Sequence, residues 1–562
     1  MHANPLRLAA GLALAVASGR LHAAAEPVRE PHAMVVSQNA MASRIGRDVL
    51  KEGGDAVDAV VAAAFALAVV HPTAGNVGGG GFLLLRKAGG ETAFYDFRET
   101  APAKASPTMW LVDGKYDEDR HHDTVLSIGV PGTVAGLHLA WRENGKLPWK
   151  RLLAPAIRLA REGFVVSPEL ARSLAKNLFS EKRPPWTVAA FTKNGVPYAA
   201  GDVLKQPDLA RTLGRIAERG PAGFYEGETA RLIVKEMERS GGIITRADLA
   251  AYRAKRREPV RGTYRGYEVI SAPPPSSAGV ALVEMLNVLE GYDLAKSGFG
   301  SADTIHLAAE AMRRAYADRA RFLADPDFEH DMPIARLTSK EYAADLRKTI
   351  SPAHASPSSP SRFEWPHESA ETTHVSAVDA GGNAVSMTYT LEDGYGSKRV
   401  VPGAGFLLNN EMGDFNAGPG LTDATGLIGT EPNLAAPGKR MLSSMAPTIV
   451  TKDGRPVLVT GALGGRTIIN TVLETILDVV DFGMNAREAV DAPRFHHQWL
   501  PDRIEYERVG FSPDPLRLLE AKGHALKPAR SQGVEQVIAL ESDGVLAGAS
   551  DSRDPDGGAA GY

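Results

Sequence analysis

Threonine is a weak nucleophile at its ordinary pKa and becomes useful only beside a base. Thr372-Thr373-His374 opens a strand-like run directly behind a Ser/Pro-rich stretch. A cut between Glu371 and Thr372 would give Thr372 a free α-amine, with a pKa of about 7.7–8.0, able to take the hydroxyl proton. Glu371-Thr372 is therefore a candidate cleavage site, and Thr372 a candidate nucleophile. Taken singly, the feature has a plainer reading, because threonine favours strands and Pro/Ser linkers precede many of them. Two further clusters suit a polar site. Leu442-Ser443-Ser444-Met445 stands just before a strand, and Gly461–Gly465 lies between a strand and a helix. The N–H groups of such a glycine turn could receive a developing oxyanion. Each cluster also reads as an ordinary turn.

These residues need elements to hold them. Thr373–Val378 alternates like a strand, Gly381-Gly382-Asn383 turns, and Ala384–Leu391 alternates again, which is a β-hairpin. A two-residue turn pairs Thr390 with Thr373, whereas a three-residue loop sets Thr390 opposite Thr372. The pattern does not choose between them, since a slip of one residue swaps faces. Either register returns Thr390 and Glu392 to the neighbourhood of Thr372. Further strands are expected at Phe82–Arg86, Thr92–Phe97, Pro447–Thr451, Pro456–Thr460 and Glu535–Leu540. The apolar run Asp55–Val70 reads as a helix buried on most faces. Thr133 to about Glu290 is largely helical in pattern, with Glu228–Arg239 stopped by Gly241-Gly242. Helices are also expected at Ala302 to about Leu323 and at Arg466–Val480. Ser351–Ser361 should be an exposed, mobile linker. A helix-rich front and a sheet-rich final third would share a layered α and β core.

The chain has 562 residues, with 63 Lys+Arg against 67 Asp+Glu and a formal net charge of −4. No basic excess exists to replace phosphate counterions, which argues against nucleic acid. Hydrophobic residues make up 44% and charged residues 23%, excluding disorder and a multi-span membrane protein. Cysteine is absent, so disulfides, thiolate metal sites and cysteine nucleophiles drop out. At the N-terminus, Arg7, the short apolar run Leu8–Ala17 and Ala23-Ala24-Ala25 read as an export signal, with the mature chain starting near Glu26. The expected product is exported, periplasmic or secreted, with no stable membrane span after signal cleavage.

The motifs occur in a telling order: Thr372-Thr373-His374, Asp379 with Gly-Gly-Asn, Thr390-Leu391, then Leu407-Leu408-Asn409-Asn410-Glu411-Met412-Gly413-Asp414-Phe415. Lys439-Arg440-Met441-Leu442-Ser443-Ser444-Met445, Thr460-Gly461 with Gly464-Gly465, and Ala492-Pro493-Arg494-Phe495-His496-His497-Gln498 follow. In the front part stand Gly78–Phe82, Asp96-Phe97-Arg98-Glu99 and Gly129-Val130-Pro131-Gly132-Thr133. Over essentially the whole mature chain, this set resembles the γ-glutamyltranspeptidase family. The resemblance implies an α+β fold, a four-layer αββα sandwich of N-terminal-nucleophile hydrolase type made as one precursor. Self-cleavage before Thr372 would give a large subunit, 26–371, and a small catalytic subunit, 372–562, which stay together as a heterodimer. Thr372 would be both processing and catalytic nucleophile, with Thr390 beside its amine and hydroxyl. Arg98 would hold the substrate α-carboxylate, and Glu411 and Asp414 the α-ammonium, with Glu392 in the same substrate-binding set. Ser443 and Ser444 would fix the carboxylate end, and the Gly464 and Gly465 N–H groups would form the oxyanion hole. Donors would be γ-glutamyl compounds such as glutathione; water or an amino acid or dipeptide would accept the acyl group. No metal or organic cofactor is implied.

Two positions depart from the family pattern. Glu392 stands where many members have Asn, although some have an acid. Within Pro419–Thr430, which corresponds to a pocket-covering loop, Thr425 replaces an expected aromatic residue, so a more open pocket is expected. Three rival readings remain: a glutaryl- or cephalosporin-type acylase on the same fold, an unprocessed non-catalytic binding protein, and a nucleotide binder prompted by Gly78–Gly81. The last lacks a Gly-Lys-Ser/Thr ending, and a tight turn explains those glycines better. His496-His497 lacks a third metal ligand and reads as structural or surface. His374 could be a general base, a role that the Thr372 amine already fills.

Overall fold

The computed structural model describes residues 26–180, 182–358, 372–421 and 429–562. The expected export segment at 1–25, the cleavage-site residue Glu371, the linker beyond Ser358 and Thr425 lie outside the described residues.

Fourteen strands make two seven-stranded sheets. In chain order they are β1 (Val28–Glu30), β2 (Met34–Ser37), β3 (Gly80–Arg86), β4 (Thr92–Asp96), β5 (Lys255–Arg257), β6 (Val260–Tyr264) and β7 (Tyr267–Ser271). Then come β8 (Thr373–Val378), β9 (Ala384–Thr390), β10 (Thr448–Lys452), β11 (Arg455–Leu463), β12 (Val534–Leu540), β13 (Leu546–Ser550) and β14 (Gly558–Gly561). One sheet runs β5-β4-β3-β9-β8-β2-β14, the other β1-β13-β12-β11-β10-β7-β6. The first carries four strands from before residue 359 and three from after 371; the second carries three and four. The front and rear of the chain are thus interleaved in both sheets rather than divided into a helical and a sheet part.

Alternation along the strands builds the layers. In β3, Phe82 and Leu84 point between the sheets, while Leu83 and Leu85 join the core under α1 (Ala40–Lys51) and α2 (Ala56–Val70). On the outer face of the second sheet lie α3 (Ala278–Leu289), α4 (Ala302–Phe322) and α5 (Thr467–Val480). The result is helix–sheet–sheet–helix. All fifteen residues of α2 are buried, as its apolar run requires, and Asp55 and Asp58 close its first turn as a reciprocal cap.

Three expectations need correction. The stretch from Thr133 to Glu290 is not all helical, because β5, β6 and β7 lie inside it. Arg265 and Gly266, both at positive φ, turn β6 into β7 and bring them to the second sheet. The start of the linker is tied down rather than mobile. Ala355 N–H donates to the Lys522 carbonyl at 2.8 Å, Ser356 N–H to Glu310 Oε1 at 3.0 Å, and Ser358 N–H to Asp502 Oδ2 at 2.7 Å. A Ser/Pro-rich sequence offers little to pack, but its backbone N–H groups find one carbonyl and two carboxylates supplied from elsewhere in the chain. Nor is Gly78–Gly81 a tight turn. A Cβ on Gly78, Gly79 or Gly81 would collide with the carbonyl of Leu407, Thr390 or Thr388 respectively, so the glycines let β3 and its approach lie against the site strand.

Candidate active site

The hairpin register puts the two threonines together. Thr373 pairs with Tyr389 and His374 with Thr388, which leaves Thr390 opposite Thr372, the three-residue-loop alternative. The Thr372 hydroxyl donates to Thr390 Oγ1 at 3.4 Å, and both residues are buried. Thr390 Oγ1 also accepts from the Glu392 N–H at 2.9 Å, a contact made possible by the positive φ of Glu392. Asn76 fixes the end of β9: its Nδ2 donates to the Thr390 carbonyl, and its Oδ1 accepts from Gly79 N–H and the Thr133 hydroxyl.

Arg98 follows β4 and is fully buried. Its N–H is held by Asp96, and its Nε and Nη2 donate to the carbonyls of Met441 and Leu442, each at 3.3 Å. The two ends of the guanidinium pair with Glu411 and Asp414. Burial disfavours its charge, but Glu411, Asp414 and Glu99 outweigh that and hold the pKa above the ordinary arginine value. Burial raises the Glu99 carboxyl to about 8, against the pull of Arg98. Burial, reinforced by Asp393, Asp414 and Glu411, raises Glu392 well above the carboxylate range. Glu411 and Asp414 share a short 3₁₀ turn, whose entry is organised by Asn409. The Asn409 side chain donates to the Gly78 and Gly129 carbonyls and accepts from the Gly129 and Glu411 N–H groups.

The remaining wall comes from Ser443 and Ser444. The Ser277 hydroxyl donates to the Ser443 carbonyl at 2.7 Å, and Arg319 of α4 donates to the hydroxyls of Ser277 and Ser444. Gly464 and Gly465 turn the end of β11 into α5, both at positive φ. The Tyr316 hydroxyl anchors this turn by donating to the Arg466 carbonyl. Among the described residues, neither glycine N–H makes a hydrogen bond.

Arg98, Thr372, Thr390, Glu392, Glu411, Asp414, Ser443, Ser444 and Gly465 line a single cleft, together with Met445 and Ile468. Gly464 alone of the expected set that can be described faces a neighbouring cavity. The space inside the cleft is about 20 Å³, close to one water, because Arg98 bridges the two acids across it. Sequence reasoning missed Asn76, Arg319 and Ser277, and gave Asn409 no role. It also missed His122, whose Nδ1 lies 3.3 Å from Glu392 Oε1.

His374 is no general base. It is buried between the sheets against the hydroxyls of Thr388 and Ser376, and burial depresses its pKa to about 3. His496 and His497 are buried, not at the surface, and serve packing through Asn470, Gln498 and Asp502. A separate buried trio, His306, Glu310 and His524, brings three ligating groups within 4.8 Å of one another. The Glu310 carboxylate is already engaged by Arg313 and Arg314.

A sequence model of the family described as Gamma-glutamyltranspeptidase matches residues 42–562. The chain is 50% identical over 542 residues to the glutathione hydrolase proenzyme of Escherichia coli (strain K12), covering 95% of this chain and 93% of that one. It is 39% identical over 538 residues to the Acylase ACY 1 proenzyme of Pseudomonas sp. (strain SE83), covering 93% of each. The crystal structure of cephalosporin acylase from Bacillus halodurans matches with a TM-score of 0.84 at 28% identity, over 98% of this chain and 99% of that one. A four-layer sandwich with a threonine at the head of a central strand defines the class, the N-terminal-nucleophile hydrolases. Within that class, the chain belongs to the gamma-glutamyltranspeptidase family.

Proposed function

We propose that the protein is an exported, self-processing γ-glutamyltransferase and glutathione hydrolase that uses Thr372 as its nucleophile. The observation that carries this reading is the convergence of a threonine hydroxyl, a buried guanidinium and paired acids on one cleft. Cleavage before Thr372 yields subunits 26–371 and 372–562 and frees the α-amine that accepts the hydroxyl proton. The γ-glutamyl head is a zwitterion. Its carboxylate takes the place of an acid on Arg98, whose planar fork suits it, and its ammonium takes up Glu411 and Asp414. Ser443 and Ser444 hold the carboxylate end. Internal ion pairs are thus exchanged for pairs with substrate, and the tight cleft opens as they part.

The Thr372 hydroxyl attacks the γ-carbonyl while the Gly464–Gly465 turn receives the oxyanion; a donor at such a turn is worth about 2.7–4 kcal/mol of barrier. The amine leaves and a γ-glutamyl ester remains. Water completes hydrolysis, and an amino acid or dipeptide completes transfer. Export rests on the N-terminal sequence; among the described residues, no helix is long and apolar enough to cross a membrane.

The acylase reading is supported by the acylase relatives, but an acyl group without an α-ammonium leaves Glu411 and Asp414 without a purpose. Free glutamate should compete with substrate and glutarate should not. Intact mass and N-terminal sequencing provide the first test: two fragments, the smaller starting Thr-Thr-His-Val, are expected. Thr372→Ala should remain one inactive chain; normal processing or turnover in that variant would refute the assignment.

A further inference from the structure

Away from the cleft, α4 puts His306 and Glu310 one helical turn apart on a single face. His524 reaches that face from the far end of the chain. The helix Pro513–Ala521 closes at Gly523, which has positive φ. The Gly523 N–H donates to the Glu520 carbonyl at 2.9 Å, and the His524 N–H to the Leu519 carbonyl at 3.1 Å. This glycine cap turns the chain sharply and lays His524 against α4. All three side chains are buried, and His306 Nδ1 lies 2.8 Å from His524 Nε2. With a Glu310 oxygen, the three ligating atoms fall within 4.8 Å of one another.

The surroundings fix how these groups present themselves. His306 Nε2 lies 2.8 Å from the Ser351 carbonyl, which can only accept, so Nε2 carries the ring proton. Nδ1 of the neutral ring is then a lone pair aimed at His524. A carbonyl on the far nitrogen is how metal-binding imidazoles are held in place. The carboxylate is held as well. Glu310 Oε1 accepts from Ser356 N–H at 3.0 Å and Arg313 Nε at 3.3 Å, and Oε2 accepts from Arg314 Nη1 at 2.7 Å. That fills both lone pairs of Oε1 and leaves one on Oε2. Nearby, Arg313, Arg314 and Lys522 are matched by Glu310, Asp502 and Asp303, so no excess of positive charge surrounds the cluster.

We propose that His306 Nδ1, His524 Nε2 and Glu310 Oε2 form a binding site for a late first-row divalent cation such as zinc. Two imidazoles and one carboxylate favour such an ion over magnesium or calcium, and a water completes a tetrahedron. Tetrahedral zinc ligands at about 2.0–2.1 Å put two nitrogens about 3.3 Å apart, so the rings need part by only about half an ångström. The proton now between them moves to His524 Nδ1, so neither ring changes its charge. His306 and Glu310 precede the linker and His524 follows it. The ion therefore joins the two pieces that the proposed cut would separate, in a chain with no cysteine to form a disulfide. Through Ser351 and Ser356 it also secures the place where the linker leaves α4.

The test uses the full chain purified from zinc-supplemented medium and desalted. About one zinc per chain should remain, and its removal by a chelator should lower Tm by a few degrees, because the folded chain alone has the site. X-ray absorption at the zinc edge should show two imidazole ligands. His524→Gln and His306→Gln, which keep a side chain able to hydrogen-bond across the gap, should weaken zinc binding at least about a hundredfold, more than loss of an outer partner costs. Absence of retained zinc in the parent chain, or equal retention in both variants, overturns the site. Should neither variant fold, the absorption spectrum decides, and bound zinc without imidazole overturns the site. None of these measurements needs turnover, so failure of the transferase reading would leave the result standing.

Discussion

Arg98 is set among more acids than it can neutralise, and its neighbours answer by holding protons. Glu99 keeps its proton in the folded chain up to about pH 8, whereas an unfolded chain releases it near 4.5. The folded state therefore binds more protons across that window. The stabilisation this gives is full below about 4.5 and is lost as pH rises towards 8. Glu99→Gln should flatten this dependence: the fall in Tm between pH 5 and pH 8.5 should shrink by about 2 °C or more. An equally steep fall in the variant would show that Glu99 does not carry the effect. Arg98 itself is tested through geometry rather than charge. Lysine keeps the charge but cannot serve two carboxylates and two carbonyls at once. Arg98→Lys should raise donor KM at least about tenfold, and precursor processing, followed on a denaturing gel, should continue.

Between the two sheets, His374 fills the space that Gly461 leaves. A Cβ at Gly461 would collide with the imidazole, which cannot move because three hydroxyls surround it. Gly461→Ala should cost about 1–3 kcal/mol, as overpacking does, read as a lower urea midpoint. His374→Ala in the same chain should return part of that loss. The hairpin that carries His374 was legible as an element but not in register. Both strands alternate, yet every residue of β8 and β9 is buried: His374, Ser376, Ser386 and Thr388 share the face turned to the second sheet, so the polar face does not look out to solvent as an ordinary hairpin's would. What settles the register is the loop. Asp379 accepts from the Gly381 and Asn383 N–H groups and, through its other oxygen, from Ala56 at the start of α2. The β6–β7 hairpin was overlooked although Arg265-Gly266 marks its turn, because helical stretches dominate on either side. Arg319 could not have been singled out, since its partner Ser444 lies 125 positions away and nothing local distinguishes a buried arginine from a surface one.

At the scale of the molecule, the site was more legible than the fold. Short motifs keep their order along the chain, whereas the assignment of strands to sheets depends on pairings across hundreds of residues, such as β2 with β14. Those pairings govern what a cut before Thr372 does. Neither piece owns a sheet, so the processed protein should elute as one species in native gel filtration and separate only in denaturant. Pieces 26–371 and 372–562 made separately should not fold alone; a cooperative thermal transition in either would contradict this.

The same interleaving puts events in order. Thr372 meets Thr390 and the glycine turn only when strands from both ends of the chain have been laid side by side, so under the proposed function the bond before Thr372 would acquire its catalyst last. A chain that stalls on the way keeps its linker whole. The proposed cut would thus act as a receipt for completed assembly, and because it would remove the tether, a matured molecule that later unfolds should not refold; recovery of activity after denaturant is withdrawn would contradict this.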